Sequence, residues 1–417
     1  MGKESFQDIV NQLTIEHAPE QIKQFQWLHL HPELAYQEFE SGQYIANYLK
    51  TLDGLEVIYP FAKTGVKAVL KGENSENAVA IRADFDALPV KEDTGLSYAS
   101  ISKGIYNGQE TYVSHVCGHD ASAATAMGTA TVLNQLKDDL NGDVVFLFQP
   151  AEEGVPDGMK AGADLMVSEG ALKNPDVSAI FALHPYSKAY PGTVLLSKNT
   201  THAGLNDLVI KIRGVQAHGS MPWVGRDPIV AGAAIINSLQ TIVSREVDLM
   251  RGAAVVTVGY FHGGIKVNII PDHAEMGLTI RALDENNLNL LVKRVTEITT
   301  LVSKAHGCEA EIIMGQHDPM NKNDPDLCKN MLKSIRQVAG DDKVIFKPAT
   351  TGSEDFSYLS NEVPGLYLHF GTAPNNKPLS ESRPNHHPGF QVDVEALKFA
   401  TKLECYLLHN YLEQRLI

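Results

Sequence analysis

Ser114-His115-Val116-Cys117-Gly118-His119-Asp120, running straight into Ala121-Ser122-Ala123-Ala124-Thr125-Ala126, is the stretch on which the reading of this chain turns. Cys117 and His119 stand two apart, so a bent loop can aim a thiolate and an imidazole at one metal ion. Sulfur and nitrogen donors suit zinc and its first-row neighbours better than magnesium or calcium. Ala, Met and Leu at helical spacing follow, so the loop opens a helix that runs towards residue 140, where Lys137-Asp138-Asp139 ends the pattern. The dipole at the start of such a helix favours the thiolate form of Cys117. Alone, Cys-x-His is more often a buried thiol beside a surface histidine. Its company along the chain decides otherwise.

Glu152 and Glu153 follow the apolar run Val144-Val145-Phe146-Leu147-Phe148, and a second apolar run, Ala179-Ile180-Phe181-Ala182-Leu183, ends in His184. A strand that ends in two carboxylates can aim one at a metal and the other at its water. Asn385-His386-His387-Pro388 supplies a further imidazole near the C-terminal end. The run Ala78 to Ala83 leads to Asp84-Phe85-Asp86, strand-end aspartates suited to hold a ligand histidine or screen the metals. Helical segments alternate with these runs, the rhythm of a mostly parallel sheet with ligands at strand C-termini. Residues 18–52 read as two helices joined at His29-Leu30-His31-Pro32-Glu33, and both histidines are expected to orient that loop at the break made by Pro32.

From residue 199 the pattern changes. Strands near 208–213, 253–260 and 275–282 and helices over 227–247 and 285–306 follow in the order strand-helix-strand-strand-helix-strand. That order is a split βαβ layout. The chain is therefore expected to be α/β, with a catalytic domain over 1–198 and 316–417 and an inserted α+β domain over 199–315. A helix over 394–416 closes the first domain.

The 417 residues, 43% hydrophobic and 20% charged, describe a globular protein. A formal charge of -15 argues against nucleic acid and anionic membrane as partners. A metal centre can still reverse the field inside one cleft, so an anionic small substrate is compatible. The first residues carry no basic segment leading into an apolar core, and no run of roughly eighteen apolar residues occurs, so the expected compartment is the cytoplasm. Four cysteines, Cys117, Cys308, Cys328 and Cys405, do not make a disulfide framework in so long a chain.

Taken together, His29-Leu30-His31-Pro32-Glu33-Leu34, Arg82-Ala83-Asp84-Phe85-Asp86-Ala87-Leu88-Pro89, Cys117-Gly118-His119-Asp120, Ala151-Glu152-Glu153-Gly154 and Leu183-His184 form an ordered set. His218-Gly219-Ser220-Met221-Pro222, Asn268-Ile269-Ile270-Pro271-Asp272, Gly352-Ser353-Glu354-Asp355-Phe356 and His386-His387-Pro388 continue it. The set resembles the dinuclear metal amidohydrolases of the aminoacylase and glutamate-carboxypeptidase superfamily, in the branch of hippurate hydrolases and auxin-conjugate hydrolases. The resemblance covers nearly the whole chain. It implies a metallopeptidase-like catalytic domain whose inserted, ferredoxin-like domain serves as lid and dimerisation surface.

It also implies a site. Cys117, His119, Glu153, His184 and His386 would hold two divalent ions, zinc first, with manganese, cobalt or nickel as alternatives. Glu152 would be the general base and Asp84 would steady the metals. Asn268, Arg281, Gly352 and Ser353 match positions around the substrate's carboxylate. His386 rather than His387 is the expected ligand, because the family pattern places it two residues before the proline. His218 would reach a neighbouring subunit's site and stabilise an oxyanion, which makes the protein a homodimer or larger homo-oligomer. Two departures bear on acyl preference: Ser122 stands where the family usually has a histidine, and Trp223 follows Pro222 where histidine is frequent. The implied reaction is cleavage of an N-acyl amino acid, with an acetyl, benzoyl or other aromatic-acyl group. A dipeptidase is a close variant, and a catalytically silent metal-binding relative is opposed by the presence of Glu152 beside the ligand.

Overall fold

Ala78–Asp84, Asp143–Gln149 and Gly365–Gly371 carry no apolar-polar alternation, and each forms a strand buried at every residue. Strands covered on both faces read this way. In the computed structural model, which describes residues 5–156 and 158–414, they lie in an eight-stranded sheet. Named by first residue, its order is Leu55, Gly65, Asp143, Ala78, Ile180, Gly365, Val194, Val344. The four strands that begin at Asp143, Ala78, Ile180 and Gly365 run parallel. This sheet belongs to the first of two compact units, Met1–Asn199 with Lys322–Pro348 and Tyr358–Ile417; the second is Thr200–Asn321 with Ala349–Ser357.

Helices Phe6–Leu30, His119–Gln135 and Glu395–Gln414 share the first unit's core with the sheet, through Leu28, Met127, Leu403, Phe146 and Phe181 among others. The small side chains that follow His119 allow this crowding, and the helix is buried from His119 to Leu133. Buried Gln21 ties the three helices together: its Nε2 donates to the Ala124 carbonyl at 3.2 Å and to Thr401 Oγ1 at 2.7 Å. The first helix begins well before the expected residue 18. Ser5 caps it by accepting from the Asp8 amide, and Pro19 sits inside it. Pro19 is exposed, so the carbonyl it leaves without a donor faces water and the helix continues through a residue that reads as a break.

The second unit follows strand-helix-strand-strand-helix-strand order through Gly204–Arg213, Pro228–Arg245, Ala254–Gly263, His273–Ala282, Glu285–Ala305 and Glu309–Asp318. Its antiparallel sheet is ordered by first residue Ala254, His273, Gly204, Glu309, the ferredoxin-like arrangement. Asp227 and Asp284 cap the two helices by accepting backbone N–H groups, and Pro228 occupies the first helical position, where its missing donor costs nothing. Ile210, Met276, Ile235, Leu239 and Leu291 form the core between helices and sheet. Trp223, Ile265 and Val267 are left exposed. No described helix is long and apolar enough to cross a membrane.

Candidate metal centre

The C-terminal ends of the central strands and the start of the His119–Gln135 helix deliver the donor groups. Asp84 ends one strand, Glu152 and Glu153 follow the next, and His184 lies near the end of the third. The turn that presents Cys117 and His119 depends on Gly118: its φ is 91°, and a Cβ there would lie 2.9 Å from that of Pro185. Ala151 and His386 also adopt left-handed backbone, with φ of 53° and 70°. Non-glycine residues hold that conformation only where their surroundings impose it. His386 is pinned by its own amide, which donates to the Val116 carbonyl at 2.7 Å. Asn385 Nδ2 donates to the Cys117 carbonyl at 2.9 Å.

Among the overlapping groups that the side chains form are Cys117-His119-His184 and Cys117-Glu153-His386, in each of which the candidate ligand atoms lie within 4.8 Å of one another. Cys117 Sγ belongs to both, 3.6 Å from His184 Nε2 and 3.2 Å from His386 Nε2. His119 Nε2 lies 3.7 Å from Glu153 Oε1 and 3.8 Å from Glu152 Oε2. The far ring nitrogens fix the tautomers: His119 Nδ1 meets Asp86 Oδ1 at 3.0 Å and His184 Nδ1 meets the Pro185 carbonyl at 2.9 Å. Both Nε2 atoms are thereby turned inward. His387 is not in either group; its Nδ1 accepts from the Gly389 amide at 2.9 Å.

These residues fit metal ions on three grounds. Their donor set is thiolate, imidazole and carboxylate in groups of three. His119 Nε2 is buried without a hydrogen bond of good geometry, a costly state for a polar atom. The charges also call for cations. Burial and Glu153 push the Cys117 thiol up, but His184 and His119 outweigh them and bring it down to about 6. Burial lowers His119, yet Asp84, Cys117 and Asp86 raise it well above the ordinary imidazole value. Hydrogen bonds to Cys117 and Glu153 push His386 up to about 10. The anionic donors thus hold protons on the imidazoles, in positions where a bound cation would displace them.

Of four supporting residues, Asp86 was expected as a strand-end aspartate suited to hold a ligand histidine, whereas Arg82, Glu38 and His29 were given no part in the site. Asp86 grips His119 with one oxygen and accepts the Glu153 amide at 2.9 Å with the other. Arg82, buried, donates from Nη1 to Asp84 at 2.6 Å and from Nε to Gln149 at 2.8 Å. Glu38 accepts the Ala151 amide at 2.8 Å and the Thr64 hydroxyl at 2.7 Å, and burial together with the nearby Asp86 pushes it up to about 8. His29 does not join the donor groups. Its Nδ1 meets Asp120 at 2.6 Å and its Nε2 meets Glu92 at 3.1 Å; burial lowers its pKa, but these two acids raise it to about 10. The strand-end position signalled Asp86, whereas His29 and its acids stand 91 and 63 residues apart.

The remaining expected residues belong to the second unit. His218 is exposed, with Nδ1 2.7 Å from Ser220 Oγ, and its strand pairs with Ile269 next to Asn268. The Gly219 amide donates to the Asn268 carbonyl at 2.8 Å, which joins these two loops. Arg281 Nη1 donates to the Thr351 carbonyl at 3.2 Å, which places it beside the segment that holds Gly352 and Ser353. The Gly352 carbonyl accepts from the Ala203 amide at 2.9 Å.

A model of peptidase family M20/M25/M40 matches residues 80–410. N-acetyl-L-cysteine deacetylase of Bacillus subtilis (strain 168) is 35% identical over 374 residues, 89% of this chain and 83% of its own. IAA-amino acid hydrolase ILR1-like 2 of Arabidopsis thaliana is 33% identical over 392 residues, 93% of this chain and 84% of its own. Among solved structures, the YxeP protein of Bacillus subtilis, described as a dinuclear metal binding peptidase from M20 family, aligns with a TM-score of 0.79. It is 30% identical and covers 95% of this chain and 99% of its own.

Proposed function

The chain belongs to peptidase family M20/M25/M40 and is an enzyme that hydrolyses amide bonds, and from that premise we propose that it releases an amino acid from an N-acyl conjugate. The observation that carries this reading is the pair Glu152 and Glu153 set against two donor groups that share Cys117. Cys117, His119, Glu153, His184 and His386 hold two divalent ions, with Asp84 steadied by Arg82 at their edge. Zinc is the first choice for a thiolate-imidazole set, with manganese, cobalt and nickel behind it. When bound, such ions supply Lewis acidity towards the substrate carbonyl and lower the pKa of water. Glu152 accepts the proton of the attacking water and delivers it to the leaving nitrogen, so the carbonyl carbon gains oxygen as its bond to nitrogen breaks.

Arg281, Asn268, Gly352 and Ser353 receive the carboxylate of the released amino acid, a charge-assisted contact for the guanidinium. His218, exposed on the second unit, serves the site of a partner subunit. The exposed Trp223, Ile265 and Val267 on the same unit support a homodimer. Four free thiols accord with the cytoplasm. The test is a panel of N-acetyl, N-benzoyl and indole-acyl amino acids and dipeptides, offered to the purified protein loaded with zinc, manganese or cobalt. Hydrolysis of an N-acyl amino acid ahead of every dipeptide is the expected result. Turnover of dipeptides alone would sink the proposal.

A further inference from the structure

Beside the donor groups, on the same sheet, lies a cation that the reaction so far leaves unused. Lys347 follows the Val344–Phe346 strand, and its backbone is fixed on both sides: its amide donates to the Leu196 carbonyl at 3.0 Å and its carbonyl accepts from Ser197 Oγ at 2.7 Å. The ammonium Nζ donates to His369 Nε2 at 3.3 Å and stands 5.1 Å from the centre of the Tyr186 ring. His369 is paired in register with His184 on the neighbouring parallel strand, their ring centres 5.9 Å apart, and Tyr186 lies 5.5 Å from His369. A row of side chains thus leads from His184 through His369 to Lys347.

Nothing anionic answers this charge. Among the described residues no carboxylate forms an ion pair with Lys347, and burial alone pulls its ammonium down to about 8. Setting an ammonium against an imidazole and a ring face is costly when an apolar side chain could pack there without losing hydration. An ammonium has three donors. One is taken by His369 and the ring face of Tyr186 meets another, which leaves capacity for an acceptor that is not part of the chain.

We propose that Lys347, seated on His369 and Tyr186, forms a carboxylate subsite beside His184 that takes a second carboxylate of the substrate, carried either by the acyl group or by the amino-acid side chain. This rests on the amide-hydrolysis reading above for what the substrate is. The subsite makes the enzyme prefer dianionic conjugates over monoanionic ones of similar size.

The test uses metal-loaded enzyme with N-acetylmethionine, N-glutarylmethionine and N-acetylglutamate, in wild type, Lys347→Met and Lys347→Arg. Loss of one charge-assisted contact should lower kcat/KM for one dicarboxylate substrate, relative to N-acetylmethionine, by about tenfold or more, chiefly through KM. Lys347→Arg should restore part of that ratio. The glutaryl and glutamate arms tell which half of the substrate reaches Lys347. Ratios within about twofold of wild type for both substrates would overturn the subsite. So would loss of metal from Lys347→Met, which would make the lysine a structural residue. If wild type hydrolyses none of the three, the choice of acyl group and amino acid fails on its own. Calorimetric titration of glutarate into the metal-loaded proteins then decides the subsite: weaker binding to Lys347→Met upholds it and equal binding overturns it.

Discussion

In the first unit the Ala78–Asp84 and Gly365–Gly371 strands are buried at every residue, whereas in the second the Gly204–Arg213 strand alternates between buried and more open positions from Asn206 onward. Strands packed on both faces leave their ends no freedom, and it is at those ends that Asp84, Glu152, Glu153 and His184 stand. A sheet covered on one face keeps a surface for meeting other molecules, and the exposed His218 and half-buried Arg281 belong to this unit. The lesson is a division of labour. Groups that must hold a fixed geometry sit where packing is complete, and groups proposed to meet substrate or partner sit where it is not.

The sharpest way to break that division is to alter Glu152. Glu152→Gln is expected to keep its metal while turnover falls about a hundredfold or more; metal analysis and kinetics on one sample decide it. Near-normal turnover at full occupancy would remove the proton-carrying role. Next in size are the ligands. Cys117→Ser and His386→Ala should weaken metal binding by more than the roughly ten- to a hundredfold that losing a supporting partner costs, whereas His387→Ala, outside the donor groups, should leave it unchanged. Competition with a chromogenic chelator measures this, and the reverse ranking would shift the site by one residue.

The second unit is probed by mixing. Co-expressed Glu152→Ala and His218→Ala chains each lack one function. If His218 serves a partner subunit, one site of a mixed dimer carries neither lesion, and random pairing restores about a quarter of wild-type activity. A mixture that stays inactive would place both residues in one subunit's site.

The smallest effect sharpens a contrast inside the first unit. Glu153 is ringed by His386, His119 and Cys117 and its pKa is lowered despite burial. Glu404 is more deeply buried, has among the described residues only the Thr129 hydroxyl at 2.6 Å, and burial pushes it from 4.5 up to about 8. Between those two values the folded state holds a proton that the unfolded state has released, so Glu404 lowers stability as pH rises from 4.5 to about 8 and adds no further loss above. Glu404→Gln should therefore raise the thermal midpoint at pH 8 but leave it little changed at pH 4.5. Parallel shifts at both values would show that packing, not charge, is responsible.

Much of this was legible in the sequence, and the boundary is physical. Long apolar runs announced the buried strands, and the residues that closed those runs announced the donors. The order of strands and helices after residue 199 announced the second sheet, because that order is a split βαβ layout. Pro19 concealed the true start of the first helix, since a proline on an exposed helical face has the same sequence signal as a break. His29 with Glu92 and Asp120, Glu38 with Ala151, and Lys347 with His369 were invisible for another reason. Each pair is brought together by the fold across tens of residues, with no local spacing to betray it.

Glu38 carries one more consequence. The region that matches the family model begins at residue 80, yet Glu38 grips the amide of Ala151, next to the proposed general base, and His29 grips Asp120, next to His119. The stretch that the family model matches and the body that holds the site therefore have different borders. A gene shortened to the stretch that the model matches would keep the donor residues named above and lose the two side chains that hold their loops, along with the outer strands Leu55–Phe61 and Gly65–Leu70. Anyone transplanting this centre into another scaffold would have to carry the first eighty residues with it.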